Sequence, residues 1–204
     1  QKNIPLLANA TWNLYVKDGT SPLSDVKFRK AIFLALDTKT SLDEYGDKAI
    51  PTSKFAGITV DSVDCSTNCD ASEKKSKELL DELFPDGNIP SVPIDIEDTE
   101  LQKAIALTAK NHLTDVGIPS EIVVHDSADW ANVIARGEVS LFRFGWLSTI
   151  PVSSNTLVEN FKASSADNLS GVSDTTLEEN IASYEKATSL KSKIKTSKEL
   201  QERI

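Results

Sequence analysis

Few side chains in this chain could do chemistry: two cysteines, two histidines and scattered carboxylates. Cys65 and Cys69 stand in the run Asp64-Cys65-Ser66-Thr67-Asn68-Cys69-Asp70. A structural zinc site needs a second ligand pair of similar spacing, and the sequence has none. Two readings remain, a short-loop disulfide on a polar turn or a pair of free thiols. The disulfide is the expectation, and it implies an oxidising, exported compartment. His112 and His125 are far apart and sit in no ligand pattern. His125 could serve a Ser/His/Asp site, but a histidine at a strand end is ordinarily structural. The pairs Asp95/Glu97 and Asp126/Asp129 have the residue type of a glycosidase pair. Asp126, however, is placed to cap the helix after it, and the others are expected to face solvent. The sequence has no phosphate loop, dinucleotide glycine motif, nucleophile elbow or H-E-x-x-H pair. The expectation is a binding module, not an enzyme, with no cofactor and no metal.

The elements that would position these residues follow from periodicity and capping. Trp12, Leu14 and Val16 alternate as a strand. Ser24 or Asp25 opens a helix with Phe28, Ala31, Ile32 and Ala35 on one face. Ser41 to Tyr45 reads as one more helical turn, and Ala49 to Asp70 as a long polar loop. Asp70 with Glu73 resembles a capping box for a helix carrying Leu79, Leu80, Leu83 and Phe84, stopped by Pro85-Asp86-Gly87. Val92, Ile94 and Ile96 make a strand. Thr99 with Gln102 caps a helix with the stripe Leu101, Ile105, Ala109 and Val116, and Gly117 is its left-handed cap, with Ile118 as the hydrophobic contact. Glu121 to His125 is a strand, Ser127 to Arg136 a helix ended by Gly137, and Ser140 to Trp146 the next strand. Asn155 to Phe161, a helix capped by Thr175 with Glu178, and a last helix from Thr196 with Glu199 complete the series. The section from Val92 to Trp146 therefore predicts β-α-β-α-β with parallel strands and helices packed on the sheet.

A ligand crevice in such a fold opens beyond the carboxyl ends of the strands. The candidate ligand-binding residues are therefore Phe144, Trp146, Ser148 and Thr149, at the end of the last strand of the run and in the loop after it. Alternation puts Phe142, Phe144 and Trp146 on one face, opposite Leu141, Arg143 and Gly145. Phe142 and Phe144 can equally be core beneath a helix.

The formal charge of −9 argues against a nucleic-acid surface. The lysines from Lys186 to Lys198 read as a solvated helix face. No apolar run approaches the ~20 residues of a membrane span, and Gln1 to Ala10 does not have the form of a signal peptide. The chain begins without Met and ends inside a helical pattern at Glu199 to Ile204, so it is expected to be a piece of a longer protein.

At Ser21-Pro22-Leu23-Ser24-Asp25-Val26-Lys27-Phe28-Arg29-Lys30-Ala31-Ile32, followed by Ala35-Leu36-Asp37, the chain resembles the family-5 extracellular solute-binding proteins of ABC importers. Their pattern there is approximately P-[FL]-x-D-x-[KR]-[VF]-R-x-A-[IL], then A-[IL]-D. The likeness continues through Ala49-Ile50-Pro51, Lys74 to Leu80, Gln102 to Ile118, the Trp130 helix, Phe144-Gly145-Trp146 and Asn168-Leu169-Ser170-Gly171. Arg29 and Asp37 are expected to hold the fold through ion pairs or caps. The resemblance implies a periplasmic-binding-protein-like α/β fold with a mixed, mainly parallel sheet. It places all of residues 1–204 in one lobe, the second of a two-lobed protein that closes on its solute about a hinge. It further implies a monomer that captures a peptide or other small solute and delivers it to a membrane permease. The location would be periplasmic or cell-surface, with a lipid anchor in another part of the protein. Trp146 is similar to the tryptophan of the family's G-W-x-x-D-Y-x-D-P segment. Peptide binders of this kind carry an Asp three residues later, to pair with the peptide's amino terminus, whereas this chain has Thr149. Two rivals stand beside this reading: a signalling or chaperone-like scaffold on the same fold, and a small α/β hydrolase.

Overall fold

The structure, a computed structural model, describes residues 7–16, 21–37, 39–40, 70–148, 154–169 and 173–201. The expected turn at Ser41–Tyr45, the loop up to Cys69 and both cysteines lie outside the described residues. By density of internal contacts the chain divides into two compact units. As far as they are described, one holds residues 12–40 and 70–143, the other residues 7–11 and 144–201.

The first strand, β1 (Leu7–Leu14), begins earlier than the alternation at Trp12 suggested. Leu14 is buried, and Trp12 and Val16 pack against the same core. After a short 3-10 turn at Pro22–Ser24 comes α1 (Val26–Ala35). Its cap is Asp25, whose carboxylate accepts from the N–H groups of Lys27 and Phe28. Arg29 holds this entry by donating from Nη1 to the carbonyls of Leu23 (2.8 Å) and Ser24 (3.0 Å), so its role is structural, with no ion pair among the described residues. Asp37 likewise caps a turn, accepting from Lys39 N–H.

Helix α2 (Glu73–Leu83) is capped by Ser72, not by Asp70: the Ser72 hydroxyl accepts from Lys75 N–H at 3.3 Å. The register of the expected capping box is corrected accordingly, because Ser72 immediately precedes the helix and its short hydroxyl reaches the first turn. Helix α3 (Glu100–Asp115) starts as expected, with Thr99 accepting from Gln102 N–H. Its buried stripe is Ile105, Ala106, Ala109 and Leu113, while Leu101 is exposed. It ends in a paired turn. Ile118 N–H reaches Leu113 O and Gly117 N–H reaches Thr114 O, with Gly117 at φ 89°, the geometry of a left-handed helix cap.

Between these helices run β2 (Ile94–Glu97), β3 (Ile122–His125) and β4 (Leu141–Ser148). The sheet order is β1-β4-β2-β3, and β2 pairs in parallel with both β3 and β4. The fold is thus the expected mixed α/β arrangement with a mostly parallel sheet flanked by helices. Paired residues share a face, so Ile94, Ile122 and Leu141 point one way. They meet Ala31, Ile32, Leu80, Ala106, Ala109 and Leu113 in one apolar core. Ser76, fully buried on α2, donates to Ala31 O at 2.8 Å and ties α2 to α1.

Helix α4 is shorter than expected, Trp130–Ala135. Asp126 does not cap it directly; it accepts from Ala128 N–H in the turn before it. The remaining helices are α5 (Ser154–Phe161), α6 (Thr175–Lys186) and α7 (Leu190–Gln201). They share a small core of Leu157, Leu177, Ile181 and Leu200. Asp174, not Thr175, caps α6 by accepting from Leu177 N–H. Helix α7 begins at Leu190 and not at Thr196, because Ser189 supplies an earlier stop for the free N–H groups, accepting from Ser192 N–H. Thr196 lies inside the helix and bonds back to Ser192 O.

Gly137 ends α4 at φ 67°, with the ring of Tyr15 lying where a Cβ would stand. Gly117 has a similar φ but only an ordinary contact in that position, Ile89 Cδ1 at 3.7 Å. Backbone strain alone therefore applies at Gly117, and strain plus a ring clash at Gly137. Gly137→Ala should cost about 2–4 kcal/mol and Gly117→Ala about 1 kcal/mol, read as the shift of the urea midpoint. Equal losses would show that the Tyr15 contact contributes nothing.

Candidate functional site

The second face of the sheet differs from the first. Asp95 pairs with Val123 and with Phe142, and Glu97 with His125, so these five residues point to one side. Asp95 is only 4% exposed. A buried carboxylate must have its lone pairs satisfied or it costs several kcal/mol. Here His125 Nε2 donates to Oδ1 at 2.7 Å, and Ser140 N–H donates to Oδ2 at 2.7 Å. One side chain on β2 thereby ties down the end of β3 and the start of β4. Trp130, buried on α4, lies over this group with ring centroids 5.6 Å from His125 and 6.5 Å from Phe142. Asp95 was expected to face solvent. In a parallel sheet covered on both faces, alternation does not imply an exposed side, and the expectation is corrected.

The carboxyl ends of β2 and β3 open onto a pocket of ≈ 290 Å³ lined by Asp98, Val124, His125, Asp126 and Ser127. Ser127 Oγ donates to Asp98 O, and Asp98 Oδ1 pairs with Lys103 at 2.7 Å. Just past the end of α4, Arg136 bridges Glu138 (2.9 Å) and Asp129 (3.0 Å). Hydrogen bonding from Arg136, then from Asn132, holds the Asp129 carboxyl below its usual range. A larger cavity of ≈ 470 Å³ lies at the amino ends of the strands, bordered by Pro93, Asp95, Gly137, Ser140 and Tyr15. Among the described residues no group of His, Cys, Asp and Glu is arranged to hold a metal ion. No helix there is long and apolar enough to cross a membrane.

Of the expected ligand-binding residues, Phe144 is partly buried in β4. Trp146 and Ser148 lie in the same strand, and Thr149 falls outside the described residues. Phe142 is core, fully buried beneath Trp130. His125 is held by Asp95, in line with the structural role expected of a strand-end histidine. The Asp95–His125–Ser140 linkage was not anticipated. Its one sequence signal is an aspartate flanked by Ile94 and Ile96 in a strand with buried neighbours.

Residues 5–168 match the bacterial extracellular solute-binding proteins, family 5 Middle. The chain belongs to this family. Family 5 comprises binding proteins and not enzymes, and its place is extracytoplasmic. No curated protein matches the chain in sequence. Several solved structures share its fold. Haemophilus influenzae OppA, solved with the peptide RPPGFSPFR, is 18% identical with a TM-score of 0.86, over 97% of this chain and 40% of its own. The Escherichia coli murein tripeptide binding protein MppA is 13% identical with a TM-score of 0.83, over 98% of this chain and 40% of its own. A periplasmic oligopeptide-binding protein from Borrelia burgdorferi is 20% identical with a TM-score of 0.83, over 95% and 39%. The family-5 chain thus spans about 40% of the length of these neighbours.

Removing the buried carboxylate leaves Ser140 N–H and His125 Nε2 without their acceptor. Asp95→Ala should cost about 2–4 kcal/mol, and Asp95→Asn, which keeps an acceptor oxygen, roughly half as much. Urea unfolding of the two variants tests this; an unchanged midpoint for Asp95→Ala would refute the linkage as a stabilising element.

Proposed function

We propose that residues 1–204 form one lobe of a two-lobed extracytoplasmic binding protein that encloses a peptide-like solute against a lobe outside this chain. The protein would act as a monomer, anchored by lipid through another part, and pass the solute to an ABC permease. Membership of family 5 over residues 5–168 carries the reading. The names of the similar structures, an oligopeptide binder with its peptide and a murein tripeptide binder, support the solute class. Ligand pockets favour domain interfaces, and a half-pocket leaves a solute largely in water.

The ligand-facing residues we assign to this lobe are Phe144, Trp146, Ser148 and Thr149. Trp146 offers a rigid aromatic surface, and the hydroxyls of Ser148 and Thr149 can donate or accept one hydrogen bond. Thr149 cannot neutralise an ammonium. A buried, unpaired amino terminus would cost several kcal/mol, so this lobe favours a solute whose amino end is blocked or neutral. In the full protein, Trp146→Ala should weaken binding at least tenfold. Thr149→Asp should improve binding of free-amino peptides about tenfold relative to their acetylated forms. Calorimetry with paired free and acetylated peptides reads both, and unchanged affinity for Trp146→Ala would remove it from the site.

We also propose that Cys65 and Cys69 are bridged. The closed loop is small, so the bridge should contribute only about 2 kcal/mol. Thiol titration of the denatured, unreduced protein should find no free thiol; two would refute the bridge.

A further inference from the structure

We propose that His125 is a solute-contacting residue, with Asp95 as its positioning residue and Nδ1 as the atom that meets the solute. The inference rests on the binding reading above and adds a contact on β3. Three observations carry it. First, Nε2 is committed to the buried Asp95 carboxylate at 2.7 Å, and the Trp130 ring lies against the imidazole at 5.6 Å. Both the position and the plane of the ring are set before any ligand arrives, which lowers the cost of making a contact. Second, Nδ1 has no hydrogen-bond partner among the described residues, although the side chain is 19% exposed and lines a pocket of ≈ 290 Å³. Here Nε2 is held, and the residue borders the pocket. His112 provides the contrast within the same chain: its Nδ1 accepts from Asp37 N–H and its Nε2 meets Thr40 Oγ1, so neither nitrogen is left over.

Third, the pocket lies at the carboxyl ends of β2 and β3, the edge at which open α/β sheets bind ligands. Its wall is largely self-satisfied. Asp98 pairs with Lys103, Asp126 accepts from Ala128 N–H, and Ser127 donates to Asp98 O. The group that suits Nδ1 is a peptide-type amide of the solute, which offers an N–H donor and a C=O acceptor side by side. His125 would thus read backbone, not a particular side chain, in keeping with a binder of varied peptides.

The substitution that separates the two nitrogens is His125→Gln, whose amide can still donate to Asp95 but places nothing at Nδ1. Calorimetry on the full protein, with a pool of acetylated and free tri- to nonapeptides, should show wild-type binding and an about tenfold weaker His125→Gln. The thermal midpoint of that variant should stay close to wild type, while His125→Ala loses both stability and affinity. In wild type, the imidazole Nδ1 resonance of His125 should move on peptide saturation while Nε2 stays. Wild-type affinity in His125→Gln, or an unmoved Nδ1 resonance in a saturated wild type, overturns the role of His125 and leaves the binding reading intact. A wild-type protein that binds none of the peptides overturns both.

Discussion

A carboxylate sealed inside a sheet constrains everything around it, and Asp95 is that group in this chain. Left alone it would destabilise the fold by several kcal/mol. Its two oxygens are therefore each matched to one donor, His125 on β3 and the backbone of Ser140 ahead of β4. The strand ladder already sets β2 between its neighbours. The Asp95 linkage adds a directional requirement that apolar packing lacks, because a shift of one residue in either neighbour would strand the charge. A buried ionic group is a weak source of net stability but a strong specifier of register, and register decides which residues reach the carboxyl edge of the sheet.

The two faces of that sheet divide the labour. One face carries Ile94, Ile96, Ile122 and Leu141 against α1, α2 and α3, and is apolar throughout. The other carries Asp95, His125 and Phe142, with Trp130 of the short α4 lying against them. The first face is held by apolar packing, with Val124 at its β3 end left exposed. The second mixes aromatic surface with polar groups whose partners are specific.

In the unit that holds α5, α6 and α7, a smaller device serves the same end. Tyr184 is fully buried, and Lys193 lies 4.2 Å from its ring centroid while donating to its carbonyl at 3.0 Å. One lysine of α7 thereby covers the aromatic ring of α6 and joins Ala187 N–H in satisfying the Tyr184 carbonyl in the last turn of that helix. The lysines of this stretch are not all a solvated face: Lys193 is packed.

Local signals made much of this protein legible from its residues. Thr99 with Gln102, Asp25 ahead of Val26, and Gly117 before Ile118 each act within one helical turn, and each stands where short-range chemistry puts it. The β-α-β-α-β order followed from alternation and spacing in the same way. Family membership was visible in the run Ser21 to Asp37 because capping and core positions there recur in order. Cap positions with two candidate residues went astray by one or two places, as at Asp70 and Thr175, since neighbouring hydroxyl and carboxylate side chains compete for the same N–H groups. What only the tertiary structure decided was which polar residues are buried together. His125 and Ser140 lie 30 and 45 residues beyond Asp95 in sequence. No local pattern marks them, because their association is set by the crossover connections and by burial on both faces of a parallel sheet.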